Sequence, residues 1–521
     1  MLIYPHLNML ICPPRPARPP VGRSAAGVAM LCAGLLAAGA HAAHVVEDSR
    51  LSRVENGLLP IATTKPGERR NIEDRMRDYG VTGLSVAVVD GGKIAWAKGY
   101  GMADAASGRN VTTHTIFQAA SISKPVSAMG VLVLVQQGRL RLDEDVNEAL
   151  RSWRVPDNDF TRRQPVTVRM LLNHTAGLAH TGANTYIPLS MGDPFPSMVE
   201  VLTGKPPATA GPVNVISLPG SAFAYSAAGY EVLQQLVLDL SGESFEQYMQ
   251  TAVLRPIEMT DSSFSQDLSS AQLSHSATGY YAGGKPLPGR FRVGPDLSVA
   301  GLWTTPTDIA RYIINLQRSN AGQAERPLSP RMTREMLTPG LGSRGLGPAV
   351  SGGGQTVRFG HDGFNEGFES SFIAYRHLGK GAVIMANSGF AFMLIKEVLG
   401  SISRVYDWPE YGATTQQPPS ASIGQQLVVP IPPPVLKAAP GQYALDDIHI
   451  TLFRRGQRLF VEWPTNGTAE VFATPDGRLF CPPLIFSDIG TPWLRLHDTG
   501  PGNVPGIVAG DDERIEFRRL N

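Results

Sequence analysis

The chain has 521 residues, 42% of them hydrophobic, with 46 Lys+Arg against 45 Asp+Glu. That length is generous for one domain and the apolar content is ordinary for a globular protein, so two folded units are expected. The balanced charge leaves no electrostatic footprint for nucleic acid or an anionic membrane, and a small-molecule or peptide substrate is the expected partner.

At the N-terminus, Arg15, Arg18 and Arg23 precede the apolar run "AAGVAMLCAGLLAAGA", and "AHA" at Ala40–Ala42 has the small-x-small form of a cleavage site. Residues 1–43 read as a signal peptide, which places the mature protein in the periplasm or outside the cell. The competing reading, a membrane anchor, suits a short Ala/Gly-rich run less well, so no stable membrane insertion is expected after cleavage. Cys12 and Cys32 would leave with this segment, and Cys481 alone cannot form an internal disulfide. No Cys or His cluster has metal-ligand spacing, so neither a metal nor another cofactor is expected.

Residues 44–413 read as the main domain. From Gly83, "GLSVAVVDGGKIAWAKGYG" alternates around Asp90-Gly91-Gly92, a hairpin signal. "FQAASISKPVSA" (Phe117–Ala128) then opens a buried helix. Val232, Leu233, Leu236, Val237 and Leu240 give Gly229–Leu240 an amphipathic face. Strands are expected over Phe368–Tyr375 and Ala382–Asn387. Sheet pieces split by a helical middle argue for an α/β (α+β) fold: a mostly antiparallel sheet flanked by helices, with an all-α subdomain. The long Ala179–Gly220 connection is expected at the rim of a cleft. There is no G-x-S-x-G elbow and no G-x-G-x-x-G after a strand.

Residues 414–436, "TQQPPSASIGQQLVVPIPPP" at their centre, read as a Pro-rich linker, extended and poorly packed. Residues 437–521 read as short strands and tight turns, a small all-β barrel or sandwich.

Ser121 and Lys124 stand three apart, and on a helix beginning near Ser121 they share a face. Pro125 fits that start, because in a first turn its missing N–H has no partner to lose. A serine there gains backbone N–H donors for an oxyanion, and a poorly hydrated lysine can serve as its base. By itself the pair is as readily an N-cap serine with a solvated lysine.

The surroundings of Ser121 resemble the penicillin-recognising serine hydrolases: class C β-lactamases, D-alanyl-D-alanine carboxypeptidases and their family VIII esterase relatives. The resemblance runs through "VTVRMLLNHTAGL" (Val166–Leu178), "FAYSAAGYEVLQQLVLDLSGESFEQYM" (Phe223–Met249), "VLRPIEMTDSSF" (Val253–Phe264) and "FGHDGFNEGFESSF" (Phe359–Phe372). It implies a β-lactamase/transpeptidase-like fold over residues 44–413 and a lipocalin-like barrel at the C-terminus. It also implies that Ser121 is the acylated nucleophile and Lys124 its proton partner, while Tyr225 shares the base role and protonates the leaving group. His361 and Gly363 fall on the third motif, and the Phe364 N–H would complete an oxyanion hole with that of Ser121. Taken singly, Tyr225 reads equally as a core tyrosine, His361 as a structural hydrogen-bonder and Gly363 as a turn glycine; His174 reads as structural.

Two positions depart from the family pattern. Ala227 stands where Tyr-x-Asn has its amide, and His361 stands where lactamases carry lysine, so carboxylate recognition near neutral pH is weaker. Both point to hydrolysis of esters, small amides or D-amino-acid peptides, with weak or no action on β-lactams. The alternative is a catalytically impaired penicillin-binding-like sensor or scaffold.

Overall fold

The β-branched run Gly83–Asp90 forms strand β1, and its alternation sends side chains both ways. Ala87 and Val89 enter one core, and Leu84, Val86 and Val88 enter another on the opposite face. Gly91 and Gly92, both at positive φ, turn the chain into β2 (Lys93–Asp104). In this computed structural model the described residues are 49–179, 195–411, 426–445, 448–463, 467–481, 493–497, 506–509 and 515–520. The expected leader at 1–43, residues 180–194 of the rim stretch and 414–425 of the Pro-rich stretch lie outside them.

The remaining sheet strands are β3 (Arg109–Asn110), β4 (Ala349–Ser351), β5 (Arg358–Asn365), β6 (Phe368–Tyr375) and β7 (Gly381–Ala386). Their order is β3-β2-β1-β7-β6-β5-β4, and every pairing is antiparallel. The C-terminal strands thus insert beside the first hairpin, with Val383 opposite Ala87 and Ile384 opposite Val86.

Helices cover both faces. On one lie α1 (Ser123–Gln136), α2 (Ala227–Ser241), the single turn α3 (Leu297–Ala300) and α4 (Pro306–Asn320). Helix α1 is apolar all round because it runs through the core, where each fully buried Val, Leu or Met contributes roughly 1.5–3 kcal/mol. Helix α2 spans the expected amphipathic stretch and stops at Gly242, whose left-handed backbone returns its N–H to the Leu238 carbonyl.

Helix α5 (Phe392–Val405) covers the opposite face. Its buried Glu397 accepts from Arg75 Nε and Nη2, both at 2.8 Å, from the Tyr79 hydroxyl at 2.7 Å and from the Ile61 N–H at 2.9 Å. A carboxylate without exposure is tolerable only with its lone pairs so occupied. Together with Glu397, burial of the phenol pushes the Tyr79 pKa well up.

Strands β8 (Gly441–Leu445), β9 (Ile448–Arg455), β10 (Arg458–Trp463), β11 (Gly467–Ala473), β12 (Leu479–Phe480), β13 (Trp493–His497), β14 (Gly506–Ala509) and β15 (Ile515–Leu520) close into a barrel. The Pro-rich stretch departs from the expected extended chain where it is described. Residues Gln426–Leu427 pair in parallel with Ala62–Thr63, and Pro433–Ala438 is helical. Prolines at the helix start have no hydrogen bond to lose, and Leu436 gains burial in the barrel core beside Tyr443 and Leu452. Phe480 packs into the α5 core, and Phe390 packs against the barrel core.

Candidate active site

Ser121 lies on a single 3₁₀ turn, Ala120–Ile122, that runs into α1. The approach is fixed on both sides. Phe117–Gln118 pairs with Trp303–Thr304, the Ala119 N–H donates to the Leu302 carbonyl at 2.8 Å, and the Ser370 hydroxyl donates to the Ala119 carbonyl at 2.9 Å. Between these anchors Ala120 sits at φ 50°, a left-handed conformation that costs a residue with a Cβ about 1–2 kcal/mol. The surrounding ladder holds that strain and aims Ser121 at the cavity it lines.

One helical turn on, Lys124 is 1% exposed, and its Nζ donates to Ser121 Oγ at 3.0 Å and to the Val299 carbonyl at 3.1 Å. The same Nζ is 5.0 Å from the Tyr225 ring centroid. Val299 belongs to α3, which is tied to α2 by Ser298 N–H to Gln234 Oε1 at 2.8 Å and by Ser298 Oγ to the Tyr230 carbonyl at 2.8 Å. Ser121 and Lys124, three apart in the chain, are thereby brought to Tyr225, which the sequence places far from both.

Tyr225 precedes α2 and is 46% exposed, so it is not the core tyrosine that the residue taken singly could be. Its ring lies on His174, with centroids 4.4 Å apart. His174 is structural in this arrangement: its Nδ1 accepts the Ser226 N–H at 3.2 Å, and its carbonyl accepts the Ala224 N–H at 2.9 Å. Burial, then the nearby Lys124 and Arg344, pushes the His174 pKa well down and keeps the imidazole neutral. Ala227 begins α2 and packs, partly buried, against the core; its methyl offers no polar contact to Lys124.

His361 and Gly363 lie on β5, and their side chains, or the space for one, face Ser121. A Cβ on Gly363 would fall far inside contact with the Ala119 carbonyl and the Ser370 hydroxyl, so only glycine lets β5 approach the nucleophile turn this closely. His361 is buried, and its Nδ1 lies 2.5 Å from the Asp362 carbonyl. Burial, followed by Arg344 and Lys124, pushes its pKa down to about 3. The side chain thus cannot supply a cation to a substrate carboxylate near neutral pH. The Phe364 side chain is 43% exposed and lies opposite Glu369 in the strand register.

Arg344 also lines the cavity, with its guanidinium 5.2 Å from the Phe223 ring centroid and 5.8 Å from that of Tyr225. Sequence reading missed it, as it missed the Val299 carbonyl, because a lone arginine between glycines and a backbone oxygen leave no motif. Among the described residues no group of three or more His, Cys, Asp or Glu is placed to hold a metal, and no helix is long and apolar enough to cross a membrane.

Comparison with known proteins places this site in a family context. A family model described as Beta-lactamase matches residues 69–394. Protein flp of Staphylococcus aureus (strain MRSA252) is 25% identical over 237 residues, 45% of this chain and 44% of that protein. Penicillin-binding protein 4* of Bacillus subtilis (strain 168) is 27% identical over 208 residues, 38% of this chain and 41% of that one. The chain thus spans less than half the length of these curated relatives. Among solved structures, the octameric penicillin-binding protein homologue from Pyrococcus abyssi aligns with TM-score 0.55 at 19% identity, over 86% of this chain and 98% of its own. SurE aligns with TM-score 0.53 at 20% identity, over 86% and 97%. At such identities the two structures speak for the fold alone.

Proposed function

The chain belongs to the Beta-lactamase family of serine hydrolases and their penicillin-binding relatives, and on that premise we propose that it hydrolyses esters, small amides or D-amino-acid peptides through an acyl-enzyme on Ser121. The observation that carries the reading is the 3.0 Å contact from Lys124 Nζ to Ser121 Oγ inside a water-poor site. Lys124, acting as a neutral amine, takes the hydroxyl proton as Ser121 Oγ attacks the carbonyl carbon, and returns it to Tyr225 once that phenol has protonated the leaving group. The Ser121 and Phe364 N–H groups hold the developing oxyanion, and Tyr225 passes a proton to the leaving group. Water then attacks the acyl carbon and Ser121 recovers its proton. Export to the periplasm or beyond belongs to the same proposal.

Ala227 and the neutral His361 favour esters and peptides over β-lactams, since the site lacks an amide at residue 227 and a charged third-motif side chain. Ala227 also supports a second reading, an acyl-trapping sensor that labels without turnover.

Intact-mass analysis of wild type beside Ser121→Ala, after a fluorophosphonate and during turnover of p-nitrophenyl acetate and nitrocefin, tests both. Ser121-dependent labelling with ester turnover is the expected result. Labelling without turnover selects the sensor, and absence of any Ser121-dependent adduct overturns the acyl-enzyme reading.

A further inference from the structure

The cavity of about 320 Å³ at Ser121 is lined from both faces of the sheet. Side chains of β5 alternate, so His361 faces Ser121 while Asp362 faces α5, where it meets Ser371 and Lys396. Strand β4 pairs with β5 only through Arg358–Gly360, so among the described residues no strand continues that pairing along 361–365. Around this open edge the cavity reaches Ile373, Phe392, Leu399 and Tyr411. Ile373 is half-buried although β6 is an inner strand, whereas Tyr375 and Ile384 on the same face are 0% exposed. Among the described residues none seals the space above it, so Ile373 forms part of the cavity wall.

The chemistry of that space favours a neutral, apolar occupant. Asp362 accepts from the Ser371 hydroxyl at 2.6 Å and pairs with Lys396 at 3.4 Å, while the buried Arg358 on the same face donates to the Glu410 carbonyl at 3.1 Å and lies 5.8 Å from the Tyr375 ring centroid, so each of these charges is already engaged by protein. Burial alone would raise the Asp362 carboxyl, but Lys396 and the Ser371 hydroxyl hold it below its usual range. The walls beyond the pair are aliphatic and aromatic. A cavity of this size is at the small end of ligand pockets and suits a chain better than a fused ring system.

We propose that the substrate carries a linear alkyl arm that passes over the open edge of β5 and lies against Ile373 and Leu399. This rests on the serine hydrolase reading and names its substrate class. Each methylene that enters is expected to raise kcat/KM about fourfold until the arm is full.

The test is the chain-length dependence of kcat/KM for p-nitrophenyl alkanoates, which place the arm on the acyl side, and for alkyl acetates, which place it on the leaving side. Each is read as a ratio to the acetate or methyl ester within one variant, so that a loss of folded protein cancels. Wild type should gain with length in one series. Ile373→Phe should end that gain at shorter chains, and Ile373→Ala should extend it. Preference for the shortest member in both series, or profiles unmoved by both substitutions, overturns the proposal.

Calorimetric titration of Ser121→Ala with 1-octanol separates this proposal from the hydrolase reading. Saturable binding weakened at least tenfold by Ile373→Phe supports the alkyl site even if no ester is turned over, which would defeat the hydrolase reading alone. No binding overturns the alkyl site.

Discussion

Lys124 Nζ contacts the Val299 carbonyl at 3.1 Å and Ser121 Oγ at 3.0 Å, so the side chain is held from two elements at once. Lys124→Met removes both contacts and should lower kcat/KM for an aryl ester by about 10²–10⁴-fold, the range for a positioned acid–base group. Lys124→Arg should not rescue it: a guanidinium keeps its proton and its planar fork does not fit a site built around a 1% exposed lysine. Steady-state kinetics with fluorophosphonate labelling checks both, and activity within a few-fold of wild type in Lys124→Met would remove lysine from the mechanism.

Tyr225 offers a cleaner separation of chemistry from stability. Because it is 46% exposed and lies outside α2, Tyr225→Phe should leave the thermal midpoint within a degree or two while cutting turnover about 10²-fold or more. Equal turnover in the two proteins would leave Tyr225 as a wall of the cavity.

His361 links the site to acid stability. Its folded pKa near 3 lies below the reference 6.5, so between those values the unfolded chain binds a proton that the folded chain refuses. Its contribution is present above pH 6.5 and is lost as pH falls towards 3, by about 5 kcal/mol at most. His174 acts in the same direction. Glu369, raised to about 8 mainly by burial, acts oppositely and stabilises as pH falls from 8 towards 4.5. The measurement is therefore the difference between wild type and His361→Asn in urea midpoint at pH 7 and pH 4.5. The variant should lose less stability on acidification, and identical losses would contradict the buried neutral imidazole.

Gly363→Ala tests the closeness of β5 to the nucleophile turn. The added methyl must displace both the Ala119 carbonyl and the Ser370 hydroxyl, at a cost of about 1–3 kcal/mol. It should also depress turnover, because the Phe364 N–H, on β5, shifts relative to that of Ser121. An unchanged melting temperature and kcat/KM would show that the two segments yield freely.

Far from the cleft, Glu397→Gln removes the fully buried carboxylate that Arg75 grips and leaves the guanidinium the half-exposed Asp78, 2.7 Å from Nη1. It should destabilise the protein by roughly 3–5 kcal/mol, seen as a lower denaturation midpoint with kinetics of the folded fraction retained.

Much of this arrangement was legible in sequence, for local reasons. Asp90-Gly91-Gly92 announces its hairpin because the positive φ values it adopts are glycine's own. Pro125 fixes where α1 can begin, and hence that Ser121 and Lys124 share a turn. What the sequence hid depends on contacts across distance. Arg344 joins the cleft only because a loop returns it beside Phe223. Tyr225 is half-exposed because His174 covers one ring face, a contact 51 residues away in the chain that no periodicity encodes. The prolines near 433 read as an extended spacer because the burial of Leu436 that makes a helix worthwhile comes from barrel strands later in the chain. Ile373 looks like any strand residue, and only its incomplete cover betrays the space beside it.

The short pairing of β4 with β5 has a consequence for self-association. Exposed strand borders template aggregation, and the two outermost strands of the sheet, β3 and β4, are only two and three residues long, while the C-terminal strands close on themselves. Among the described residues, the unmatched backbone of residues 361–365 is the longer vulnerable border, and it opens into the cleft beside Ser121, where Tyr225 and Arg344 narrow the approach. A second molecule is thereby obstructed where a slender ligand is admitted, so the geometry that exposes the reaction centre also limits polymerisation through it.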